Sequence, residues 1–143
     1  METGTYQMEK VRQSHYEKSL ELQLYDFRKF PDINIDRYDI TIERFVSGEI
    51  MKSGKPRLKN AMSFNMTCDG QGDFHDCIHC FVIDFIEQEF SPGFTRSLGC
   101  TQAFVRFHLS PKYDEEFQDF SISPEVLKVL VDRGIHLDFW FLR

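Results

Sequence analysis

Leu20, Leu22 and Leu24 alternate with Glu21, Gln23 and Tyr25, a two-residue period that predicts a half-buried strand over 19–27. The same alternation recurs along the chain. Met62, Phe64, Met66 and Cys68 point one way and Ser63, Asn65 and Thr67 the other, which predicts a strand over 61–68. Ala103, Val105, Phe107 and Leu109 alternate with Gln102, Arg106 and His108 over 101–109, with Phe104 on the polar side. Ile135, Leu137, Phe139 and Phe141 mark a closing strand over 135–142, and 120–122 reads as a short strand. The period shifts to a helical one at Phe74, Cys77, Ile78, Phe81, Val82, Phe85 and Ile86, predicting a helix over 74–88. The turn Asp69-Gly70-Gln71-Gly72 precedes it, and Pro92 and Gly93 stop it.

Ser123-Pro124 is a cap followed by a proline suited to the first helical turn. It opens a helix over 125–133 carrying Val126, Leu127, Leu130 and Val131, which Gly134 ends. A third helix is expected over 36–46, capped by Asp36, with Tyr38, Ile42, Phe45 and Val46 on one face. Ile40–Ile42 also reads as strand. The Gly- and Lys-rich stretch 47–60 reads as a basic loop or irregular hairpin inside the domain. These elements predict an α+β fold in a single domain over 19–143, after a polar N-terminal extension, 1–18. The sheet is antiparallel or mixed, of about five strands, with about three helices packed mainly on one face.

Composition changes this picture little. The 15 Phe, 5 Tyr and 1 Trp mostly fall on the faces just described and argue for a bulky core. Charge changes it more. The formal net charge is −6, but residues 1–60 hold 11 Lys and Arg against 10 Asp and Glu, whereas 61–143 hold 6 against 13. A near-neutral first part thus joins a second part of net −7. Such a surface repels phosphates, so direct nucleic-acid binding is not expected, and it suits a basic partner. No apolar run of about 18 residues occurs and the N-terminal stretch lacks an apolar signal core, so a cytoplasmic protein without a membrane contact is expected. Four cysteines in that compartment are expected as thiols.

Catalytic chemistry finds little support. There is no G-x-S-x-G elbow, P-loop or dinucleotide fingerprint, so no cofactor and no enzyme activity are expected. Cys77 and Cys80 form a C-x-x-C pair with His75 and His79 beside it, the weak candidates for metal binding. Structural zinc sites draw ligands from two such pairs and only one is present. Asp73, Asp76 and Asp84 around the pair oppose a reactive thiolate. Two carboxylate clusters are better candidates for binding. Tyr113, Asp114, Glu115, Glu116, Phe117 and Asp119 combine aromatic anchors with a charged rim. Asp84, Glu87 and Glu89 end the central helix, where carboxylates oppose the helix dipole without an evident folding benefit.

The segment from Phe120 to Phe141 has a strand, the Ser123-Pro124-Glu125 helix start, then Gly134-Ile135-His136-Leu137-Asp138 and a final strand. It resembles the ending of a family of small bacterial domains of unassigned biochemistry. These are found among immunity proteins of polymorphic and contact-dependent toxin systems. Asp39-Ile40-Thr41, Gly48-Glu49 and Arg57 fit the same pattern more loosely. The resemblance implies a cytoplasmic protein that binds and neutralises one toxin domain, commonly a basic nuclease, by occluding it through an acidic surface. The competing expectations are a small thiol- or metal-dependent enzyme using Cys77 and Cys80, and a self-associating structural domain.

Overall fold

A computed structural model describes residues 18–68, 74–109 and 121–141. Five strands form one mixed sheet: β1 Lys18–Tyr25, β2 Thr41–Phe45, β3 Ala61–Cys68, β4 Gln102–Leu109 and β5 His136–Phe141. Their spatial order is β2-β3-β1-β4-β5. All neighbours are antiparallel except β4 and β5. That parallel pair needs a crossover, and helix α3, Pro124–Asp132, lies between the two strands in sequence. Helix α1 is α-helical over Phe74–His79, π-helical over Cys80–Ile86 and α-helical again over Glu87–Glu89. A short helix α2 spans Phe94–Leu98.

The inward residues of the three central strands form one wall of the core: Leu20, Leu22 and Leu24, then Met62, Phe64 and Met66, then Ala103, Val105 and Phe107. The helices supply the other wall. Phe85 and Phe90 meet Phe64 at ring-centre distances of 5.6 and 5.5 Å, and Phe74 meets Phe107 at 5.8 Å. Phe74, Ile78, Phe81, Val82, Phe85 and Ile86 are all buried as the helical period requires, and Cys77 is half-buried. The fold is therefore a single α+β domain with its helices against one sheet face. Among the described residues, no helix covers the other face.

Several elements differ from expectation. Residues 41–45 are strand, not helix. The spacing of Tyr38, Ile42 and Phe45 imitates a helical stripe, but the β-branched Ile40-Thr41-Ile42 run leads into a strand that pairs with β3 from Thr41 onward. Asp36 caps no helix; its own N–H donates to the Asn34 side chain in a local turn. Ser121 and Ile122 lie in no strand, and Ile122 packs on the core from irregular backbone. On α3 it is Val126, Val129 and Leu130 that are buried, whereas Leu127 and Val131 face out. With Val129 on the core side, Val126, Val129 and Leu130 form the i, i+3, i+4 stripe that meets the core, and Leu127 and Val131 turn away from it. Helix α2 has no sequence counterpart, being too short to show a period.

The helix ends are sharply defined. The Ser123 hydroxyl accepts from the Val126 N–H at 3.2 Å, the expected cap. At the other end Ile135 N–H reaches Leu130 O and Gly134 N–H reaches Val131 O, with Gly134 at φ 68°. That is a Schellman closure, which needs the left-handed conformation glycine tolerates. The stretch 47–60 is an irregular hairpin, with Arg57 and Glu49 bonded across it and Ile50 bridged to Pro56.

Candidate functional site

The run Tyr113 to Asp119, the first sequence candidate, lies outside the described residues, as does Asp73. The second acidic cluster divides. Asp84 and Glu87 are exposed on the outer side of α1. Glu89 is not available in the same way: Arg37 Nη2 donates to its Oε2 at 3.0 Å, and the Tyr38 hydroxyl donates to the same oxygen. Tyr38 also stands edge-on to Phe85 at 5.0 Å. Glu89 thus ties the 31–40 loop to the end of α1, a folding role the dipole argument alone overlooked. The Tyr38 hydrogen bond, opposed by burial and helped by Arg37, holds the Glu89 carboxyl below its ordinary range.

The cysteine and histidine residues are separated by their partners. His75 Nε2 accepts the Ser121 N–H at 2.8 Å, and His79 Nε2 lies 3.7 Å from Glu125 Oε1. Cys80 is exposed, and burial of the thiol together with Asp84 and Cys77 pushes it up, away from the reactive thiolate. Among the described residues, no three His, Cys, Asp or Glu side chains are grouped to hold a metal ion. Nor is any described helix long and apolar enough to cross a membrane.

The outer face of the sheet is where the structure assembles polar and aromatic groups. Strand alternation sends Glu21, Gln23 and Tyr25 outward from β1, Phe104, Arg106 and His108 from β4, and His136, Asp138 and Trp140 from β5. Register then aligns them. Glu21 sits opposite Arg106, which sits opposite Asp138. Arg106 Nε donates to Asp138 Oδ2 at 3.0 Å. Its guanidinium lies 4.1 Å from the centre of the Trp140 ring and 4.9 Å from that of Phe104. Phe104 stacks in turn on Tyr25 at 5.6 Å. The result is a continuous stack, Trp140–Arg106–Phe104–Tyr25, crossing three strands. Trp140 is 45 % exposed and Tyr25 36 %, so both ends of the stack are open to solvent.

A second network runs beside it. His108 Nε2 is 3.0 Å from Glu21 Oε1, and the Ser63 hydroxyl donates to Glu21 Oε2 at 2.9 Å. The His108 ring also stands edge-on to Trp140 at 5.6 Å. Burial pushes the Glu21 carboxyl up, but hydrogen bonds from His108, Gln23 and Ser63 outweigh it and hold the group below its ordinary value. The sequence placed Gln102, Arg106 and His108 on one strand face. What it lacked was the register that brings β5 and β1 alongside; the alternation of His136, Asp138 and Trp140 was the available signal.

Comparison of the chain with family models, curated proteins and solved structures returns no match.

Proposed function

We propose that this chain is a binding protein of the immunity type, which neutralises a cognate antibacterial toxin domain by occluding it. The observation that carries the reading is the Trp140–Arg106–Phe104–Tyr25 stack on a sheet face that no described helix covers. Trp, Tyr and Arg are the residues most enriched at interface hot spots. Here each is already immobilised by its neighbours, and the Arg106–Asp138 pair fixes the centre, so little side-chain entropy remains to be lost on docking. The net −7 of residues 61–143, with Asp84 and Glu87 outward, favours a basic partner such as a nuclease domain and speeds its approach. Four of that segment's acids, Asp114, Glu115, Glu116 and Asp119, belong to the Tyr113 to Asp119 run, which lies outside the described residues. Thiol chemistry at Cys77 and Cys80 is the weaker reading, because the surroundings of Cys80 keep its thiol protonated.

The test is protection. The chain is co-expressed with the toxin domain encoded beside it, and growth is scored. Trp140→Ala and Arg106→Ala are expected to lose protection while keeping the wild-type circular dichroism spectrum. Full protection by both folded variants would remove the sheet face from the binding surface, and a chain that protects against no neighbouring toxin would remove the reading altogether.

A further inference from the structure

A furrow runs along β3 on the outer sheet face. Its floor is small, Ala61 and Ser63, while the flanking strands carry larger groups: Phe45 and Glu43 on β2, Tyr25 and Glu21 on β1. Walls on strands either side of β3 stand about 9–10 Å apart, twice the strand spacing. The furrow has a volume of about 220 Å³, far above the ~30 Å³ share of one water, and admits a side chain. One end is aromatic, with Phe45 and Tyr25 in the row of Ala61. The other is acidic, with Glu43 directly opposite Ser63.

The two carboxylates differ in what they already do. Glu21 spends one oxygen on His108 and the other on Ser63. Glu43 is exposed and, among the described residues, makes no hydrogen bond or ion pair. Arg57 also lines the furrow, at its aromatic end: its guanidinium lies 4.7 Å from the centre of the Phe45 ring, and its buried Nε has no hydrogen-bond partner. It makes no ion pair with Glu43, which is left without a counter-ion among the described residues.

We infer that this furrow is a pocket for a guanidinium side chain, an arginine presented by a basic protein partner, with Glu43 as its counter-ion. The guest's stem lies over Ala61 against Tyr25, and its planar head reaches Glu43 with Ser63 beneath and Gln23 and Glu21 on the facing β1 wall. A guanidinium suits the place better than an ammonium because it pairs with a carboxylate through two parallel N–H donors and stacks on aromatic rings. The inference rests on the proposed function for its protein partner, and places a basic-residue pocket next to the aromatic stack on the same face.

The test needs no partner. The isotopically labelled full chain is titrated with N-acetyl-arginine amide, and amide shifts are followed by NMR; N-acetyl-lysine amide and the neutral isostere N-acetyl-citrulline amide are the controls. Saturable shifts are expected at Tyr25, Glu43, Ala61 and Ser63. They should be stronger for arginine than for lysine, absent for citrulline, and diminished at about 1 M salt, where the screening length is ~3 Å. Glu43→Gln, an exposed position, should weaken arginine binding about tenfold, equivalent to ~1.4 kcal/mol. Glu43→Asp, which keeps the charge, should bind better than Glu43→Gln. Binding unchanged in Glu43→Gln, equal binding of citrulline or lysine, or shifts elsewhere on the chain would each overturn the assignment. The protection assay separates the two readings: if Trp140→Ala loses protection and no arginine binds, the pocket fails and the function stands. Arginine binding by a chain that protects against no toxin gives the reverse.

Discussion

Arg133 offers the sharpest quantitative prediction. It is 5 % exposed and sits just past the end of α3. No carboxylate pairs with it among the described residues. Instead its guanidinium donates to three backbone carbonyls: Nε to Phe90 O at 2.6 Å, Nη1 to Val129 O at 3.2 Å and Nη2 to Glu87 O at 3.3 Å. Glu87 lies in the last turn of α1 and Phe90 just beyond it, where carbonyls have run out of helical donors and the helix dipole is negative. One side chain therefore caps α1 and fastens it to α3. Replacing it with methionine keeps most of the apolar stem and leaves three carbonyl acceptors, two of them buried and one part-buried, without their donor. At roughly 1 kcal/mol per orphaned acceptor, the low end of the range for buried polar groups, Arg133→Met should cost about 3 kcal/mol. The low end is appropriate because removing a buried charge also recovers part of its desolvation cost. In urea, with a slope of about 1.5 kcal/mol per M for a chain of this size, the midpoint should fall by about 2 M. Arg133→Lys reaches one of the three carbonyls and should fall between. The assay is equilibrium unfolding followed by circular dichroism, with slopes compared to confirm that both variants unfold from the same native state. A midpoint change below about 0.3 M for Arg133→Met, or a lysine variant worse than the methionine one, would refute the capping role.

Three further outcomes follow from the same contacts. Gly134→Ala should cost about 1–2 kcal/mol, since the residue needs φ 68° and an added Cβ would lie 2.9 Å from Thr95 Oγ1; urea unfolding measures it, and a neutral result would contradict the Schellman closure. Glu21 and Glu89 both have folded values below the ordinary 4.5, so each stabilises the fold above that pH and loses its contribution as pH falls through the lowered value. The stability gap between wild type and Glu21→Gln should therefore be constant near neutrality and shrink below about pH 4.5; a gap that persists at about pH 3 would show that the carboxylate's charge is not what matters. Cys80 is the exposed thiol of the four, yet is held protonated, so iodoacetamide at neutral pH should label it first but more slowly than free cysteine. Mass spectrometry of the timed reaction checks both rank and rate.

The core was legible in the sequence because burial imposes a period. Leucines at 20, 22 and 24 and the stripe from Phe74 to Ile86 sit where alternation and helical spacing place them. The stripe survives even the π-helical turn, since positions four and five apart still share a face. Edge strand β2 departs from the expected helix because only Ile42 of its five residues packs on the core; a strand that buries one side chain leaves no alternation to find. The candidate site was less legible for a different reason. Glu89, Arg133 and Arg106 are charged residues that each hydrogen-bond to a group 32 or more positions away, and nothing local in the sequence marks those pairings.

Those distant pairings also bear on how the sheet chooses its register. Sliding β4 by one residue against β1 would turn Val105 and Phe107 out of the core, so hydrophobic burial alone forbids it. Sliding it by two residues would keep every apolar side chain inward, and the core pattern does not discriminate against that slip. The outer face discriminates in one direction. A two-residue slip that moves Arg106 from Glu21 to Ser19 would draw His108 away from Glu21 and separate Phe104 from Tyr25, whereas the opposite slip would set both pairs directly across from each other. Between β4 and β5, a slip either way would take Asp138 from its place opposite Arg106. Each cross-strand pair is worth a few tenths to about 1 kcal/mol, so the two β1–β4 pairs disfavour the first slip by about 1 kcal/mol or somewhat more. The polar and aromatic groups that make this face suited to a partner thus also take part in how the strands meet. Arg106 and Trp140 belong to both tasks, which is why variants there must be shown to keep the native sheet before any loss of binding is attributed to the surface itself.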